Sequence, residues 1–372
     1  MKVAILREVV AGEKRVAAVP GTVDKMVKAG MQVSVQSEAG LPSALPDEEY
    51  AHAGARIERG PEAVLDGAGV VLKVQRPTAE EMDLLPETSA LIAFTLQVRG
   101  DDAYREKLKR RRTTAFSLDL LPRIARAQNM DVLSSMANIA GYKSVLLAGN
   151  ALGKFYPMLM TAAGTILPAR VLVLGAGVAG LQAVATARRL GGVVSAFDVR
   201  PAVKEQVESL GARFIAVGLD ERAEDARGYA REVSADAAER QRQVLQQELR
   251  TTDVCITTAQ VPGKRAPLLV TAAMVQAMRI GSVIVDLAAE QGGNCEVTEP
   301  GEEVVRHGVT ILGPVNIVST MAPQASQLYS RNVLNFLLHA VDGESKKVAV
   351  DRADEIISSC LIAHDGEILK SG

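Results

Sequence analysis

The chain has 372 residues, with 42 lysines and arginines against 44 aspartates and glutamates, for a formal net charge of -2. That balance gives no electrostatic argument for nucleic acid or an anionic membrane surface, and an aromatic content of 3% without tryptophan provides no stacking platform for single-stranded nucleic acid. The length predicts two domains, and a hydrophobic content of 48% suffices for two cores.

Along the first third, apolar runs at Val3–Leu6, Val33–Gln36, Val70–Val74, Ala90–Phe94 and Thr113–Ser117 read as strands, while Pro20–Ala29 and Asp101–Arg110 carry helical periodicity. Strands alternating with helices imply a parallel, doubly wound sheet. Gly30 is the predicted stop of the first helix. The basic run Lys107–Arg112 reads as the solvated face of a surface helix. Charges arrive at Arg7 and Glu8, too early for a signal peptide. No stretch approaches the ~20 uninterrupted apolar residues of a spanning helix, so no direct membrane insertion is expected.

Met130 to Gly153 is rich in small residues and free of proline, and predicts a largely buried connector helix. Beyond it, strands are expected at Arg170–Leu174, Val193–Phe197, Arg213–Ala216, Asp253–Thr257, Ser282–Asp286 and Val309–Leu312, six in parallel. Gly218 to Arg250 is a charged insert that predicts a mobile loop followed by a long exposed helix. Gln324–Ala340 is amphipathic and is expected to return to the first domain, making it discontinuous: 1–130 plus 315–372, with 131–314 as the second domain. In the tail, Val348–Val350 is strand-like and Asp365–Gly366 reads as a turn. The fold class is therefore α/β, with two doubly wound Rossmann-like domains of parallel sheet joined by long helices.

Gly175-Ala176-Gly177-Val178-Ala179-Gly180 follows the apolar run Val171–Leu174 and opens a helical stretch. The first glycine permits a tight strand-to-helix turn, the second lets backbone approach a pyrophosphate, and the third lets helix and strand pack closely. Asp198 ends the next strand, where an acid accepts ribose hydroxyl hydrogen bonds and repels a 2′-phosphate, which favours NAD(H) over NADP(H). Arg200 could court that phosphate but reads as a solvated charge.

Other chemistry is sparse. His52, His307, His339 and His364 fall in helix or turn contexts, away from the strand ends where an α/β site gathers its groups. Cys255, Cys295 and Cys360 lack metal-ligand spacing and predict buried free thiols, with no metal site. Arg15 and Lys73, at the carboxyl ends of strands, suit either an anionic ligand or an interdomain ion pair. Asp286 to Asn294 leaves a strand of the nucleotide domain and should border the nicotinamide end; one of its two acids, Asp286 or Glu290, can be structural. Leu121 to Asp131 is a polar segment at the domain junction, suited to function or to plain connection.

These residues resemble the NAD(H)-binding alpha component (domain I) of proton-translocating nicotinamide nucleotide transhydrogenase, a family related to alanine dehydrogenase. The likeness covers nearly the whole chain and rests on Lys73–Pro77, Pro122–Arg123 through Met130–Ser135, Met160–Thr165, the glycine motif, Lys204–Gly211, Gly228–Ala230 and Gln291–Cys295. The resemblance implies that Arg123, Gln128, Asp131 and Ser134 serve the nicotinamide side, with Gln128 reaching toward NADP(H) on a partner. It implies cofactor contacts from Gly175, Gly177, Val178, Ala179, Gly180, Asp198, Val199, Arg200, Thr258, Ala259 and Glu290. Gly228, Tyr229 and Ala230 match a loop that closes on the nucleotide. It also implies direct hydride transfer, an NADP(H)-binding partner, membrane-spanning components that carry protons, a homodimer, and a cytoplasmic location on the face of the inner membrane. The main alternative is an alanine dehydrogenase-like oxidoreductase. In that family an arginine and a lysine hold a keto acid while a histidine and an aspartate handle protons, but here Thr95 and Glu290 stand at the last two positions.

Overall fold

The computed structural model describes residues 1–94, 100–216, 235–260, 264–343, 345 and 347–370. The chain forms two compact units, residues 1–136 with 318–372, and residues 137–317. In chain order, the first unit supplies β1 (Lys2–Ile5), β2 (Gln32–Gln36), β3 (Arg56–Glu58), β4 (Val70–Leu72), β5 (Ala90–Ala93) and β6 (Thr114–Ser117). The second supplies β7 (Leu159–Thr161), β8 (Gly164–Ile166), β9 (Arg170–Leu174), β10 (Val193–Phe197), β11 (Arg213–Ile215), β12 (Val254–Thr257), β13 (Val283–Asp286), β14 (Glu303–Arg306) and β15 (Val309–Leu312). β16 (Leu361–His364) and β17 (Glu367–Ile368) belong again to the first unit.

The first sheet runs β17-β16-β6-β5-β4-β1-β2-β3. β1 to β6 pair in parallel, and β16 adds antiparallel to β6. β3, β16 and β17 escape sequence reading because they are short. The turn between the last two is the expected Asp365–Gly366, with φ of 48° and 87°, the pair of left-handed residues that a tight hairpin requires. Val348–Val350 is not a strand. Among the described residues its ladder contact is a single bridge from Val348 to Val341. His364 ends β16 rather than lying in a helix or turn, and its Nδ1 is 3.0 Å from Thr114 Oγ1.

The second sheet runs β11-β10-β9-β12-β13-β15-β14. The six expected strands are present and parallel, and β14 adds an antiparallel edge, mostly exposed and hidden in the sequence by its flanking charges. The order places a switch point between β9 and β12, where ligands of doubly wound sheets bind.

Burial follows the two-residue period of a strand. Val171, Val173, Val254, Ile256, Val283 and Val285 enter one core of the second unit, while Leu172, Leu174, Cys255, Ile284, Val309 and Ile311 enter another. Strands covered on both faces must be continuously apolar, which is why β12 and β13 read as unbroken runs. All three cysteines are buried and free.

The predicted connector is the helix Val132–Ala151. Gly141 within it is obligatory, since a Cβ there would stand 2.1 Å from the Ala179 carbonyl oxygen. The helix after the charged insert, Ala235–Leu249, buries Gln241, Leu245 and Leu249 on one face rather than lying wholly exposed. The expected loop before it lies outside the described residues. The C-terminal amphipathic helix spans Ala322–Ala340. β7 and β8 form a separate hairpin whose six residues are all exposed, with Met160 at 73% and neighbouring Leu167 at 70%. Among the described residues no helix is long and apolar enough to cross a membrane.

Candidate functional site

The glycine motif divides its three glycines by function. Gly175 adopts φ +97°, which a side chain resists, and a Cβ there would meet Thr258 Oγ1 at 2.6 Å. Gly180 lies in the helix Val178–Arg189, where a Cβ would stand 1.8 Å from the Gly175 carbonyl oxygen. Gly177 is different. It precedes that helix, and the nearest atom to its Cβ would be Arg200 Nη2 at 3.9 Å. The space beside Gly177 is open, and no side chain among the described residues caps the helix. The first-turn N–H groups of Val178 and Ala179, with the positive end of the helix dipole, therefore form a cradle that fits a pyrophosphate.

Asp198 follows β10 and is buried. Its Oδ2 accepts from the Ala176 N–H at 2.7 Å, tying the end of β10 to the glycine turn. Arg200 is not the solvated charge expected. Its side chain is 14% exposed, with Nε 2.9 Å from Oδ1 and Nη2 2.8 Å from Oδ2 of Asp198. Burial pushes the Asp198 carboxyl upward, but the Arg200 guanidinium and the Ala176 N–H outweigh it and hold the pKa below the ordinary value. The intervening Val199 packs its side chain on the core beneath the sheet.

On the far side of β9, Thr258 donates its hydroxyl to the Gly175 carbonyl at 3.1 Å, and Ala259 follows it. Of the two acids after β13, Asp286 is fully buried and structural, while Glu290 lies exposed on the turn Ala289–Gln291. Gly228, Tyr229, Ala230 and Thr95 lie outside the described residues.

The remaining candidates sit in the first unit. Asp131 caps the helix Val132–Ala151: its Oδ1 accepts from the Ser134 N–H at 2.8 Å and its Oδ2 from the Ser134 hydroxyl at 2.6 Å. Preceding it, Ala127 and Met130 turn inward while Arg123 and Gln128 are exposed. The Asn129 carbonyl accepts from both Asn332 and Asn335, each at 2.9 Å, so the polar segment is anchored to the C-terminal helix. It is a held platform with outward polar groups, not a slack connector.

Arg15 and Lys73 are buried and paired inside the first unit, which replaces the interdomain pair considered from sequence. Arg15 Nη2 meets Glu13 Oε2 at 2.6 Å, and Lys73 Nζ meets both oxygens of Glu81 at 2.8 Å. Glu8 completes the cluster, accepting from the Val74 N–H at 2.6 Å. Burial pushes Glu8 up to about 7, because Lys73, 3.8 Å away, is committed to Glu81 and offsets only part of it. Burial also opposes ionisation of Glu13, but its bonds from Arg15 hold it down at about 2. Glu8, Glu13 and Glu81 were not singled out from sequence, where they look like ordinary surface acids.

The alanine dehydrogenase/PNT N-terminal domain family matches residues 4–140, and the corresponding C-terminal domain family matches residues 144–371. The chain is 47% identical over 376 residues to the first part of NAD(P) transhydrogenase subunit alpha from Rhodospirillum rubrum, covering 99% of this chain and 98% of that protein. Against the alanine dehydrogenase of Halomonas elongata it is 28% identical, covering 99% and 94%. The crystal structure of transhydrogenase from Sinorhizobium meliloti is similar at a TM-score of 0.90 and 42% identity, covering 99% of this chain and all of that one. An L-alanine dehydrogenase structure gives 0.83 at 26%, covering 99% and 97%. With both halves of the chain matched, and the higher identities on one side, the protein belongs to the alanine dehydrogenase/PNT family and stands within it beside the alpha subunits of NAD(P) transhydrogenase.

Proposed function

We propose that this chain binds NAD(H) and passes a hydride directly to or from NADP(H) held by a partner component, in a complex whose membrane-spanning components couple the exchange to proton movement. The observation that carries this reading over a keto-acid dehydrogenase is the closed state of the first unit's cations. Arg15 and Lys73, which would hold a carboxylate substrate, are already neutralised by Glu13 and Glu81. A dry cluster paired in this way gives an incoming keto acid nothing to gain.

In this reading Gly175, Gly177, Val178, Ala179 and Gly180 hold the pyrophosphate, Asp198 receives the adenosine ribose, and Val199 and Arg200 line that side. Thr258, Ala259 and Glu290 serve the nicotinamide half, and Gly228, Tyr229 and Ala230 close over the nucleotide. Arg123, Asp131 and Ser134 orient the nicotinamide, and Gln128 reaches toward the partner's NADP(H). When bound, the two nicotinamides supply the redox chemistry: a hydride leaves C4 of one ring for C4 of the other, one being oxidised as the other is reduced, with no proton drawn from the protein. The chain's own task is orientation to about 3–3.5 Å and exclusion of water. Asp131 does this by fixing Ser134, and Asn332 and Asn335 by fixing Asn129.

The proposal extends to a homodimer peripheral to the cytoplasmic face of the inner membrane, with 1–130 plus 315–372 and 131–314 as its domains. The exposed hairpin β7–β8 supports the dimer, since two strands with uncovered apolar side chains are marginal alone. The test is to mix the purified chain with the NADP(H)-binding component and follow NADPH-dependent reduction of an NAD analogue. Exchange that needs both proteins supports the reading. Alanine- or pyruvate-dependent turnover by the isolated chain overturns it.

A further inference from the structure

Asp286 ends β13 with its carboxylate buried and five hydrogen bonds converging on it. Oδ1 accepts from Thr257 Oγ1 at 2.8 Å and the Ala288 N–H at 3.0 Å. Oδ2 accepts from the Asn294 N–H at 2.9 Å, the Cys295 N–H at 3.0 Å and Thr298 Oγ1 at 2.8 Å. The segment leaving β13 is thereby folded back on its own strand end, and what it delivers is the side chain of Asn294, which is fully buried. A carboxylate so satisfied can stay charged in a dry interior and fixes the groups around it.

Asn294 grips the turn that follows β12. Its Oδ1 accepts from the Ala259 N–H at 3.0 Å, and its Nδ2 donates to the Ala259 carbonyl at 2.9 Å and to the Pro267 carbonyl at 2.8 Å. One side chain therefore satisfies both backbone polar groups of Ala259. The next residue inward, Thr258, donates its N–H to the Leu174 carbonyl at 2.8 Å and abuts Gly175, so the chain of contacts runs from Asp286 through Asn294, Ala259 and Thr258 to the glycine turn. With its amide spent on Asn294, Ala259 can meet a ligand through its methyl group and not through a backbone hydrogen bond.

We propose that Asn294, held in place by Asp286, is a positioning residue for the nicotinamide half of the nucleotide. The assignment to that half rests on the nucleotide reading above and on strand order. Asp198 stands after β10 on one side of β9, whereas the Thr258–Ala259 wall stands after β12 on the other, and a dinucleotide crosses such a switch point with one mononucleotide on each side. Asn294 thus sets the position of a surface that the adenosine half does not touch.

The experiment compares Asn294→Ala with the parent chain in three measurements: dissociation constants for NADH and for 5′-AMP, and the thermal midpoint. The expected result is NADH affinity lowered about tenfold or more, the effect of losing about 1.4 kcal/mol of hydrogen bonding, with 5′-AMP affinity held within about twofold. Asn294→Asp keeps an acceptor for the Ala259 N–H but loses both Nδ2 donors, and is expected to show the same selective loss at smaller size. A purely structural role would weaken both ligands together. Equal losses, no loss of NADH affinity, or failure of both variants to fold overturns the proposal. A parent chain that binds neither ligand overturns the nucleotide reading itself, and the proposal with it.

Discussion

Arg200 lays its guanidinium across both oxygens of Asp198, donating from Nε at 2.9 Å and from Nη2 at 2.8 Å, while its own backbone N–H adds a third bond to Oδ1 at 2.9 Å. The acid proposed for the ribose is thus kept ionised and aimed by a neighbour two residues away. Asp198→Ala removes the acceptor and leaves a half-buried guanidinium uncompensated. NADH affinity is expected to fall about tenfold or more, and the preference for NADH over NADPH to narrow, because Arg200 is then able to meet a 2′-phosphate. Titration with both nucleotides checks this, and an unchanged ratio would show that discrimination arises elsewhere.

The glycines make opposite predictions for stability and binding. In Gly180→Ala and Gly141→Ala the new methyl groups would stand 1.8 Å and 2.1 Å from backbone oxygens, so the helices must move apart. Each is expected to cost about 1–3 kcal/mol of stability. Gly177→Ala meets nothing closer than 3.9 Å and should leave the thermal midpoint nearly unchanged while weakening NADH, since its methyl fills the proposed pyrophosphate cradle. Thermal unfolding and nucleotide titration of the three variants separate the roles.

Glu8 gives the first unit a dependence on pH. Its pKa rises from 4.5 to about 7 on folding, so the folded state binds the extra proton and stability falls as pH rises between those values, by up to about 3 kcal/mol, and is level above them. Glu8→Gln should abolish that slope and be more stable than the parent at pH 8. Glu13 acts in the opposite sense: its stabilisation is present above pH 4.5 and is lost as pH falls toward about 2. Urea unfolding at pH 5 and pH 8 tests the Glu8 contribution, and a parent curve independent of pH in this range would refute it.

Gln128→Asn keeps the amide and shortens its reach by one methylene from an exposed position on the turn Ala125–Met130. Exchange with the partner component is expected to slow at least tenfold while NADH affinity stays nearly unchanged. Stopped-flow exchange beside an NADH titration distinguishes this from a loss of affinity, which would make Gln128 a ligand of the bound NADH instead.

What could be read from the sequence is what depends on local pattern. β9, β10, β12 and β13 are legible because a covered parallel strand must be apolar throughout, and the glycine turn because backbone geometry leaves few alternatives to glycine at Gly175 and Gly180. The edge strand β14 is not legible: half of its side chains face water, so charge interrupts the pattern. The Arg200 clamp, the closing of Lys73 on Glu81, and the Asp286–Asn294 network escape for a different reason. Each depends on where a polar side chain points once the backbone is folded, and neither composition nor periodicity carries that direction. Asp286 gives a partial signal, an acid at a strand end followed by Gly292-Gly293, both at positive φ.

The Asn129 carbonyl is held by side chains lying 203 and 206 residues further along the chain. During synthesis the segment bearing Arg123 and Gln128 therefore leaves the ribosome long before its anchor exists, and the whole nucleotide-binding unit is translated in between. A chain terminated anywhere before Asn332 could complete its glycine turn and still lack a fixed platform, so competence to bind NADH should arise earlier in biogenesis than competence to exchange hydride.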